Sequence, residues 1–203
     1  MIEQRSADWF SARLGLCTAS KFADAIAKLK TGKPAQARQT YAIQLVAERL
    51  TGQPTPHFTT AAMQWGIDNE PAARIEYAWK RDVEVEEVGF IRHASVMAGA
   101  SPDGLVGSEG AVEFKCPSSQ RHIETWLGGM PQEHMPQVQG QLWITGRAWI
   151  DFVSFDPRMP KEFQVYIERI ERDDAYIATL DSEIRGFLAD VESLITQLQE
   201  KAA

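Results

Sequence analysis

A short apolar segment that carries two charges, preceded at a fixed distance by an aspartate, constrains this chain more than any other feature. In the segment 111–115, Ala-Val-Glu-Phe-Lys, charged and apolar residues alternate, so a strand would place Glu113 and Lys115 on the same face. Asp103 lies ten residues before Glu113 in Ser-Pro-Asp-Gly-Leu, and this pattern predicts an adjacent strand that ends at the aspartate. Charges on a strand with apolar neighbours are costly unless they are paired or bind a metal ion.

The chemistry of these three side chains leaves two interpretations open. Two carboxylates and an ammonium on one sheet face suit a hard divalent cation. Carboxylate oxygens are ligands that Mg²⁺ prefers, and a neighbouring lysine can orient or deprotonate an attacking water. The alternative is a solvent-facing salt bridge between Lys115 and either Asp103 or Glu113.

Length and composition favour an ordinary globular protein. The chain has 203 residues, of which 44% are hydrophobic and 24% charged, and we expect one domain over residues 1–203. No apolar run approaches the roughly 20 residues of a membrane span. Residues 1–5 lack the apolar stretch of a signal peptide, so we expect a cytoplasmic protein with no membrane contact. Two cysteines are too few for an all-cysteine zinc site or a four-cysteine iron–sulfur cluster.

The net charge of −7 argues against a simple basic DNA-coating protein, but the charge is unevenly distributed. Residues 1–50 contain eight Lys or Arg and four Asp or Glu, a net of +4, which leaves −11 on the other 153 residues. A polyanion would therefore meet the N-terminal region. Lys28, Lys30, Lys33 and Arg38 either follow a DNA backbone or form a solvated basic loop.

Hydrophobic periodicity predicts helices, then a small mixed sheet, then helices, which is an α/β or α+β arrangement. The predicted helices cover residues 6–14, 20–30, 35–50, 60–80, 119–127, 132–145 and about 173–199, with caps at Ser6, Ser20 and Asp173 or Asp174. Pro71 predicts a break or kink near Glu70. The predicted strands cover residues 83–91, 96–101, 111–116, 148–155 and 163–170, and residues 53–58 form a predicted loop.

Asp103 together with Glu113-Phe114-Lys115 follows the short pattern of the PD-(D/E)XK nuclease superfamily. Further motifs make the likeness more specific. They are Gln137-Val138-Gln139-Gly140-Gln141-Leu142-Trp143, the upstream Gly66-Ile67-Asp68-Asn69-Glu70, and Trp9, Arg13, Gly15, Thr18, Ala19 and Ser20 near the start. In this order they resemble the phage lambda exonuclease family, also called the YqaJ-like viral recombinases, from about residue 9 to residue 155.

The resemblance implies a restriction-endonuclease-like core, with a central mixed sheet flanked by helices. It implies a Mg²⁺-dependent exonuclease that degrades one strand of duplex DNA in the 5′→3′ direction. Such an enzyme releases 5′-mononucleotides and leaves 3′ single-stranded overhangs for phage-type recombination. Members of the family are typically ring-shaped homotrimers that thread DNA and work with a single-strand annealing protein. A phage or prophage gene expressed in the bacterial cytoplasm would fit.

The resemblance also implies roles for individual residues. Asp103, Glu113 and the backbone carbonyl of Phe114 would bind two Mg²⁺ ions, which Mn²⁺ can replace. Lys115 would position and activate the water. Glu70 matches the upstream acidic residue of the family and would support the metal directly or through water; the alternative is a solvated helix carboxylate.

A 5′-end-specific enzyme also needs a pocket for the terminal phosphate. Arg13, Ser20, Ser101 and Gln137 match that pocket in the family, and an arginine can bind a phosphate with two parallel hydrogen bonds. Ser20 is equally well explained as a plain helix cap, although a helix N-terminus also favours anions. His134 stands where the family often has an aromatic residue.

Two alternatives to the exonuclease remain open. A structure-specific endonuclease of the same fold, such as a junction-cleaving enzyme, would use the same metal ligands. The end-binding set around Arg13 favours the exonuclease over it. A catalytically inactive DNA-binding scaffold would keep only the fold, and the intact Asp103, Glu113 and Lys115 argue against it.

Overall fold

Two mixed sheets and seven α-helices make up the part of the chain that the structure, a computed structural model, describes: residues 4–56 and 59–203. The strands are β1 (Cys17–Thr18), β2 (Ile91–Arg92), β3 (Ala98–Ala100), β4 (Gly104–Val106), β5 (Gly110–Lys115), β6 (Trp149–Phe155) and β7 (Val165–Glu171). The helices are α1 (Ala7–Arg13), α2 (Phe22–Ala25), α3 (Gln36–Thr51), α4 (Ala61–Arg81), α5 (Ser119–Gly128), α6 (Met135–Thr145) and α7 (Asp174–Ala202).

The larger sheet has the strand order β4-β5-β6-β7, so the charged strand β5 lies inside it. β5 is antiparallel to β4 and parallel to β6, and β6 is antiparallel to β7. The smaller sheet has the order β1-β3-β2. This mixed sheet flanked by helices confirms the predicted fold class.

The two faces of the larger sheet pack against different helices. On one face, Val112 and Phe114 pack with Ala73 and Tyr77 of α4. On the other face, Ala111 packs in a cluster that α6 and α7 complete. Glu113 and Lys115 share the second face, because residues two apart on a strand point the same way.

Helices with clear end signals agree with their predictions. Ser6 caps α1 by accepting a hydrogen bond from the amide of Trp9, and Asp173 caps α7 in the same way. In α4 the predicted kink at Pro71 stays a prediction, whereas the predicted break does not occur, since the helix continues through the proline. The reason is that Ala73 and Tyr77 anchor the turns after the proline in the core, which outweighs one missing backbone hydrogen bond.

The predicted helix over residues 20–30 is also wrong, because α2 contains only four residues. The guanidinium of Arg38 binds the carbonyl of Ala25 at 2.5 Å and so ends the helix there. Ser20 lies in a 3₁₀ turn, Ala19–Lys21, and caps no helix; the structure has Lys21 at the cap position of α2. The interpretation of Ser20 as a helix cap is therefore wrong.

Strand predictions fail where the strands are very short or the chain only touches a sheet edge. β1 and β4 have two and three residues and were not predicted. Of the predicted strand over residues 83–91, only Ile91 is in a strand, and Glu86 forms a single bridge with Leu105. Asp103 does not end a strand but lies in a bend just before β4. Of the predicted loop over residues 53–58, residues 57 and 58 lie outside the described part.

Several basic side chains of the N-terminal region form ion pairs with acidic residues of the last helix, α7. Lys28 pairs with Glu183 at 2.6 Å, and Arg49 pairs with Glu192 at 2.6 Å. Arg38, which also ends α2, pairs with Asp190. Lys28 and Arg38 are thus paired with α7, and whether these residues and Lys30 and Lys33 follow a DNA backbone stays a prediction. Within residues 4–56 and 59–203, no helix has both the length and the apolar character that a bilayer crossing requires.

Gly140 on α6 gives a test of this packing. A Cβ at this position would lie 2.4 Å from a ring carbon of Phe22, so Gly140→Ala overpacks the contact between α6 and α2. We expect a loss of about 1–3 kcal/mol in the free energy of unfolding, measured by urea denaturation. Gly186→Ala on α7 is the control, because nothing lies within 4 Å of its Cβ position. It should stabilise the protein by about 0.5–1 kcal/mol; equal effects of the two substitutions would contradict the packing described here.

Candidate active site

One cavity of about 1060 Å³ gathers the residues that the sequence pattern singled out. Its lining includes Arg13, Ser20, Glu70, Ser101, Asp103, Glu113, Phe114, Lys115 and Gln137. The residues are far apart in the sequence, and the packing of α1, α4 and α6 around the end of β5 brings them together.

Glu113 is the most enclosed of the acidic side chains in the cavity, with 4% of its surface exposed. Its Oε1 accepts hydrogen bonds from Lys115 Nζ and Gln137 Nε2, each at 2.6 Å. Its Oε2 accepts one from Gln141 Nε2, also at 2.6 Å. The predicted placement of Glu113 and Lys115 on one face is thus confirmed. The salt bridge of the alternative interpretation is present too, but it is buried in the cavity wall rather than solvent-facing.

Asp103 is fixed against β5 by two hydrogen bonds. Its amide donates to the carbonyl of Val112 at 3.1 Å, and its Oδ2 accepts from the amide of Phe114 at 2.7 Å. Burial, reinforced by the negative charges of Glu113 and Glu70, raises the pKa of the Asp103 carboxyl well above its usual value. The folded protein therefore holds these carboxylates closer together than their charges favour.

Lys115 lies between the acidic residues and α6. Its Nζ donates to Gln137 Oε1 at 3.0 Å as well as to Glu113. Burial acts to lower the pKa of Lys115, but the negative charges of Glu113 and Asp103 outweigh burial and raise it. Lys115 is therefore an ammonium here, which can hold a water by donating hydrogen bonds.

Glu70 on α4 is paired, so the alternative of a solvated helix carboxylate is wrong. Its Oε1 accepts from Arg74, one turn later, at 3.0 Å, and its Oε2 accepts from Arg5 at 2.5 Å. Arg74 also contacts the backbone carbonyl of Asp103 at 3.3 Å. This arginine therefore links α4 to the bend that carries Asp103.

Trp9 organises two of the predicted phosphate-binding residues. The guanidinium carbon of Arg13 lies 3.8 Å from the centre of the indole ring, a cation–π contact. The indole Nε1 donates to Ser101 Oγ at 2.9 Å, which leaves the hydroxyl proton of Ser101 able to donate elsewhere. Among the described carboxylates, none forms an ion pair with Arg13. An anion in the cavity would thus meet an arginine that no described carboxylate contacts directly, with Glu48 as the nearby negative charge.

The other two predicted phosphate ligands differ in their surroundings. Ser20 Oγ lies 3.3 Å from Thr18 Oγ1, and both residues line the cavity. Gln137 instead uses both atoms of its amide to bridge Glu113 and Lys115. Gln137 is therefore bound to the charged residues of β5, whereas Ser20 contacts another hydroxyl group. His134, at the family's aromatic position, has its ring centre 5.3 Å from that of Phe152.

The oxygen atoms around Asp103 suit a hard divalent cation. In the described residues, no group of three or more His, Cys, Asp or Glu side chains forms a complete metal site. The oxygen ligands that fit a divalent cation are the carboxylates of Asp103 and Glu113 and the backbone carbonyl of Phe114. Glu113 Oε2 accepts one hydrogen bond and Asp103 Oδ2 another, so each carboxylate keeps lone pairs for a cation. A cation would also offset both causes of the raised pKa of Asp103, the burial of its carboxyl and the negative charges of Glu113 and Glu70.

Four residues at the site have contacts that sequence reasoning did not assign: Arg5, Trp9, Arg74 and Gln141. Two of these had a local signal, since Arg74 follows Glu70 by four residues and Gln141 follows Gln137 by four on the same helix face. Trp9 belonged to the N-terminal motif, but nothing in its spacing revealed the contact with Ser101. Arg5 had no signal, because its partner lies 65 residues away.

Comparison with known proteins places this geometry in a family. The YqaJ-like viral recombinase domain matches residues 8–148. The putative uncharacterized protein ExoD of Escherichia coli (strain K12) is 33% identical over 76 residues, which cover 36% of this chain and 85% of that protein.

Solved structures extend the likeness to nearly the whole chain. The alkaline exonuclease LHK-Exo from Laribacter hongkongensis is 46% identical with a TM-score of 0.90, over 97% of this chain and 98% of that one. LHK-Exo has also been solved in complex with dAMP. A phage-related exonuclease from Haemophilus somnus 129PT is 15% identical with a TM-score of 0.69, over 90% and 96% of the two chains, which shows a shared fold.

Because the Asp103 carboxyl is buried close to other carboxylates, we expect the free energy of unfolding of the metal-free protein to depend on pH. An acid whose pKa is raised by folding is destabilising once it ionises, so its cost grows as the pH rises from its unfolded pKa of about 3.9 towards the higher folded value. In EDTA at neutral pH, Asp103→Asn should therefore raise the free energy of unfolding by about 0.5–2 kcal/mol.

The measurement is thermal unfolding of wild type and Asp103→Asn in EDTA at several pH values. The gain from Asp103→Asn should shrink as the pH falls towards 4. Asp181→Asn is the control, because Asp181 forms a one-turn ion pair with Arg185 on α7, away from the cavity. A loss of stability in Asp103→Asn at neutral pH would show that the carboxylate is not held under repulsion.

Proposed function

The chain belongs to the YqaJ-like viral recombinase family, which includes alkaline exonucleases, and from that premise we propose that it is a Mg²⁺-dependent 5′→3′ exonuclease of double-stranded DNA. It releases 5′-mononucleotides and leaves 3′ single-stranded overhangs for recombination. The observation that carries the proposal is the shared cavity. Acidic residues suited to a cation and an unpaired Arg13 face the same space, as phosphodiester cleavage next to a terminal phosphate requires.

The acidic side of the cavity supplies the catalytic groups. Asp103, Glu113 and the carbonyl of Phe114 would hold two Mg²⁺ ions, or Mn²⁺ in their place, which would supply Lewis-acid stabilisation of the charge that develops on the phosphate. Lys115 orients the attacking water through hydrogen bonds from its ammonium group. Gln137 and Gln141 hold Glu113 in place, and Glu70 supports the same centre from α4.

Other residues that line the cavity supply end recognition. Arg13 binds the 5′ phosphate with its guanidinium, and Ser20 and Ser101 donate hydroxyl hydrogen bonds. Gln137 donates to the same phosphate with the N–H of its Nε2 that Glu113 does not accept. The complex of LHK-Exo with dAMP supports a cavity in this family that accepts a deoxynucleoside monophosphate.

Strand polarity and end dependence test the proposal directly. Linear duplex DNA labelled at the 5′ end should release labelled mononucleotide at once in Mg²⁺, whereas 3′-labelled duplex should keep its label until late in the reaction. Closed circular duplex should stay intact. Cleavage of the circle would indicate the endonuclease, and the absence of any Mg²⁺-stimulated release would indicate the inactive scaffold.

Lys115 gives a prediction about the chemical step. Lys115→Ala should lower the single-turnover rate by about 10²–10⁴-fold, the usual range for a positioned group that handles the nucleophile. Lys115→Arg should not restore the rate, because the planar guanidinium is larger and donates in different directions. DNA affinity, measured by fluorescence anisotropy in Ca²⁺, should change little. A large loss of affinity with an unchanged rate would make Lys115 a phosphate-contact residue.

Arg13 gives a prediction about end recognition. A charge-assisted arginine–phosphate contact is worth roughly 1.5–3 kcal/mol, so Arg13→Ala should lower the initial rate on 5′-phosphorylated duplex by about 10- to 150-fold. The rate on 5′-hydroxyl duplex should fall much less. Arg121→Ala is the control, since Arg121 lies on the same cavity but is largely exposed. If Arg13→Ala keeps the wild-type ratio of the rate on 5′-phosphorylated duplex to the rate on 5′-hydroxyl duplex, the proposed pocket is contradicted.

We also propose the assembly typical of the family, a homotrimeric ring around DNA that works with a single-strand annealing protein in the cytoplasm of a bacterial host. Large apolar side chains on the surface, such as Ile75, Trp79 and Leu127, support a subunit interface. Sedimentation equilibrium should give three times the mass of 22.7 kDa at micromolar concentration. A stable monomer would contradict the ring.

A further inference from the structure

Arg5 has a backbone conformation that its side chain does not favour. Its φ is +69°, in the left-handed region where a residue with a Cβ is strained and glycine is usual. The residues on either side hold it there. Gln4 Nε2 donates to the carbonyls of Val88 and Pro102, each at 2.9 Å, and Ser6 caps α1. Strain of this kind tends to occur at functional sites, where the surrounding structure maintains it.

The strained backbone directs the Arg5 guanidinium to Glu70. The two arginines that hold Glu70 are not equivalent. The side chain of Arg74 is 19% exposed and also contacts Glu87 and the carbonyl of Asp103. The side chain of Arg5 is 44% exposed, and Glu70 is its ion-pair partner, at 2.5 Å. Arg5 is therefore the partner that can leave Glu70 without breaking an ion pair to another residue of the described ranges.

Two of the carboxylates at the site already have cationic partners without a metal ion. Glu70 pairs with Arg5 and Arg74, and Glu113 pairs with Lys115. A divalent cation adds two positive charges beside these pairs. Repulsion then favours the departure of a cationic side chain, and Arg5 is the most exposed of the three.

We propose that Arg5 is a positioning residue that competes with the divalent cation for Glu70. It holds the carboxylate in the metal-free protein and releases it when the cation binds, so Arg5 sets how much cation the site needs. The inference rests on the proposed function in one respect, the role of Glu70 beside the metal.

Binding of Mn²⁺ to the DNA-free protein tests this competition, with free Mn²⁺ followed by electron paramagnetic resonance. Arg5→Gln and Arg5→Gly should bind Mn²⁺ about 2- to 5-fold more tightly than wild type, as expected from removal of a half-exposed competing ion pair. Arg5→Gly also relieves the left-handed strain, so a folded variant is available if Arg5→Gln is unstable. Arg5→Lys keeps the positive charge and should stay close to wild type.

Two controls separate a local competition from a general loss of charge. Arg185→Gln removes a half-exposed, paired guanidinium from α7 and should leave Mn²⁺ affinity unchanged. In a Glu70→Gln background, Arg5→Gln should no longer tighten binding, because the group for which they compete is gone. An effect of Arg5→Gln that persists in that background would overturn the proposal, as would unchanged or weaker Mn²⁺ binding in the single variants.

Failure of this inference can be told apart from failure of the proposed function. If wild-type protein binds Mn²⁺ and degrades DNA from its 5′ ends, but the Arg5 variants have unchanged Mn²⁺ affinity, only the proposed role of Arg5 is refuted. If the Arg5 variants bind Mn²⁺ more tightly but no nucleotide is released from DNA, the competition at Glu70 is supported and the exonuclease activity is refuted. Wild-type protein that binds no Mn²⁺ removes both.

Discussion

The buried carboxylate of Glu113 is the constraint on which the site depends. A charge placed inside a sheet is costly unless hydrogen bonds and an opposite charge satisfy it. Here Lys115 comes from the same strand, and Gln137 and Gln141 come from α6, which the strand faces. The hydrogen bonds therefore set the position of α6 against β5 as well as the orientation of the carboxylate. Gly140, between the two glutamines, allows α6 to approach Phe22 closely enough for this arrangement.

Around this carboxylate the protein maintains a cluster of groups that would separate if they were free. Asp103 is held near Glu113 by backbone hydrogen bonds, and burial together with the neighbouring negative charges raises its pKa. Arg5 keeps an unfavourable backbone conformation beside the same cluster. Such unfavourable local features are expected where a site is built for chemistry rather than for stability alone.

Much of the fold could be predicted because its signals are local. Ser6 and Asp173 begin helices where their side chains cap the first turn, and the alternation along β5 is visible in six residues. The residues to which the family resemblance assigns a catalytic, metal-binding or phosphate-binding role all line one cavity. The failures had physical reasons. Strands of two or three residues are too short to show alternation. Helix α2 ends at Ala25, because the carbonyl of Ala25 accepts a hydrogen bond from Arg38. The partner of Arg5 depends on tertiary structure alone.

The attachment of the last helix to the first third of the chain has a consequence for synthesis. The ion pairs of Lys28, Arg38 and Arg49 reach 155, 152 and 143 residues along the chain. The core cluster around Tyr41 and Phe187 needs the same helix. While the chain emerges from the ribosome, its first third carries uncovered apolar surface and unneutralised basic charge until α7 is complete. In that interval the nascent protein is open to aggregation and to capture by nearby nucleic acid, and the arrival of α7 ends both exposures in one step.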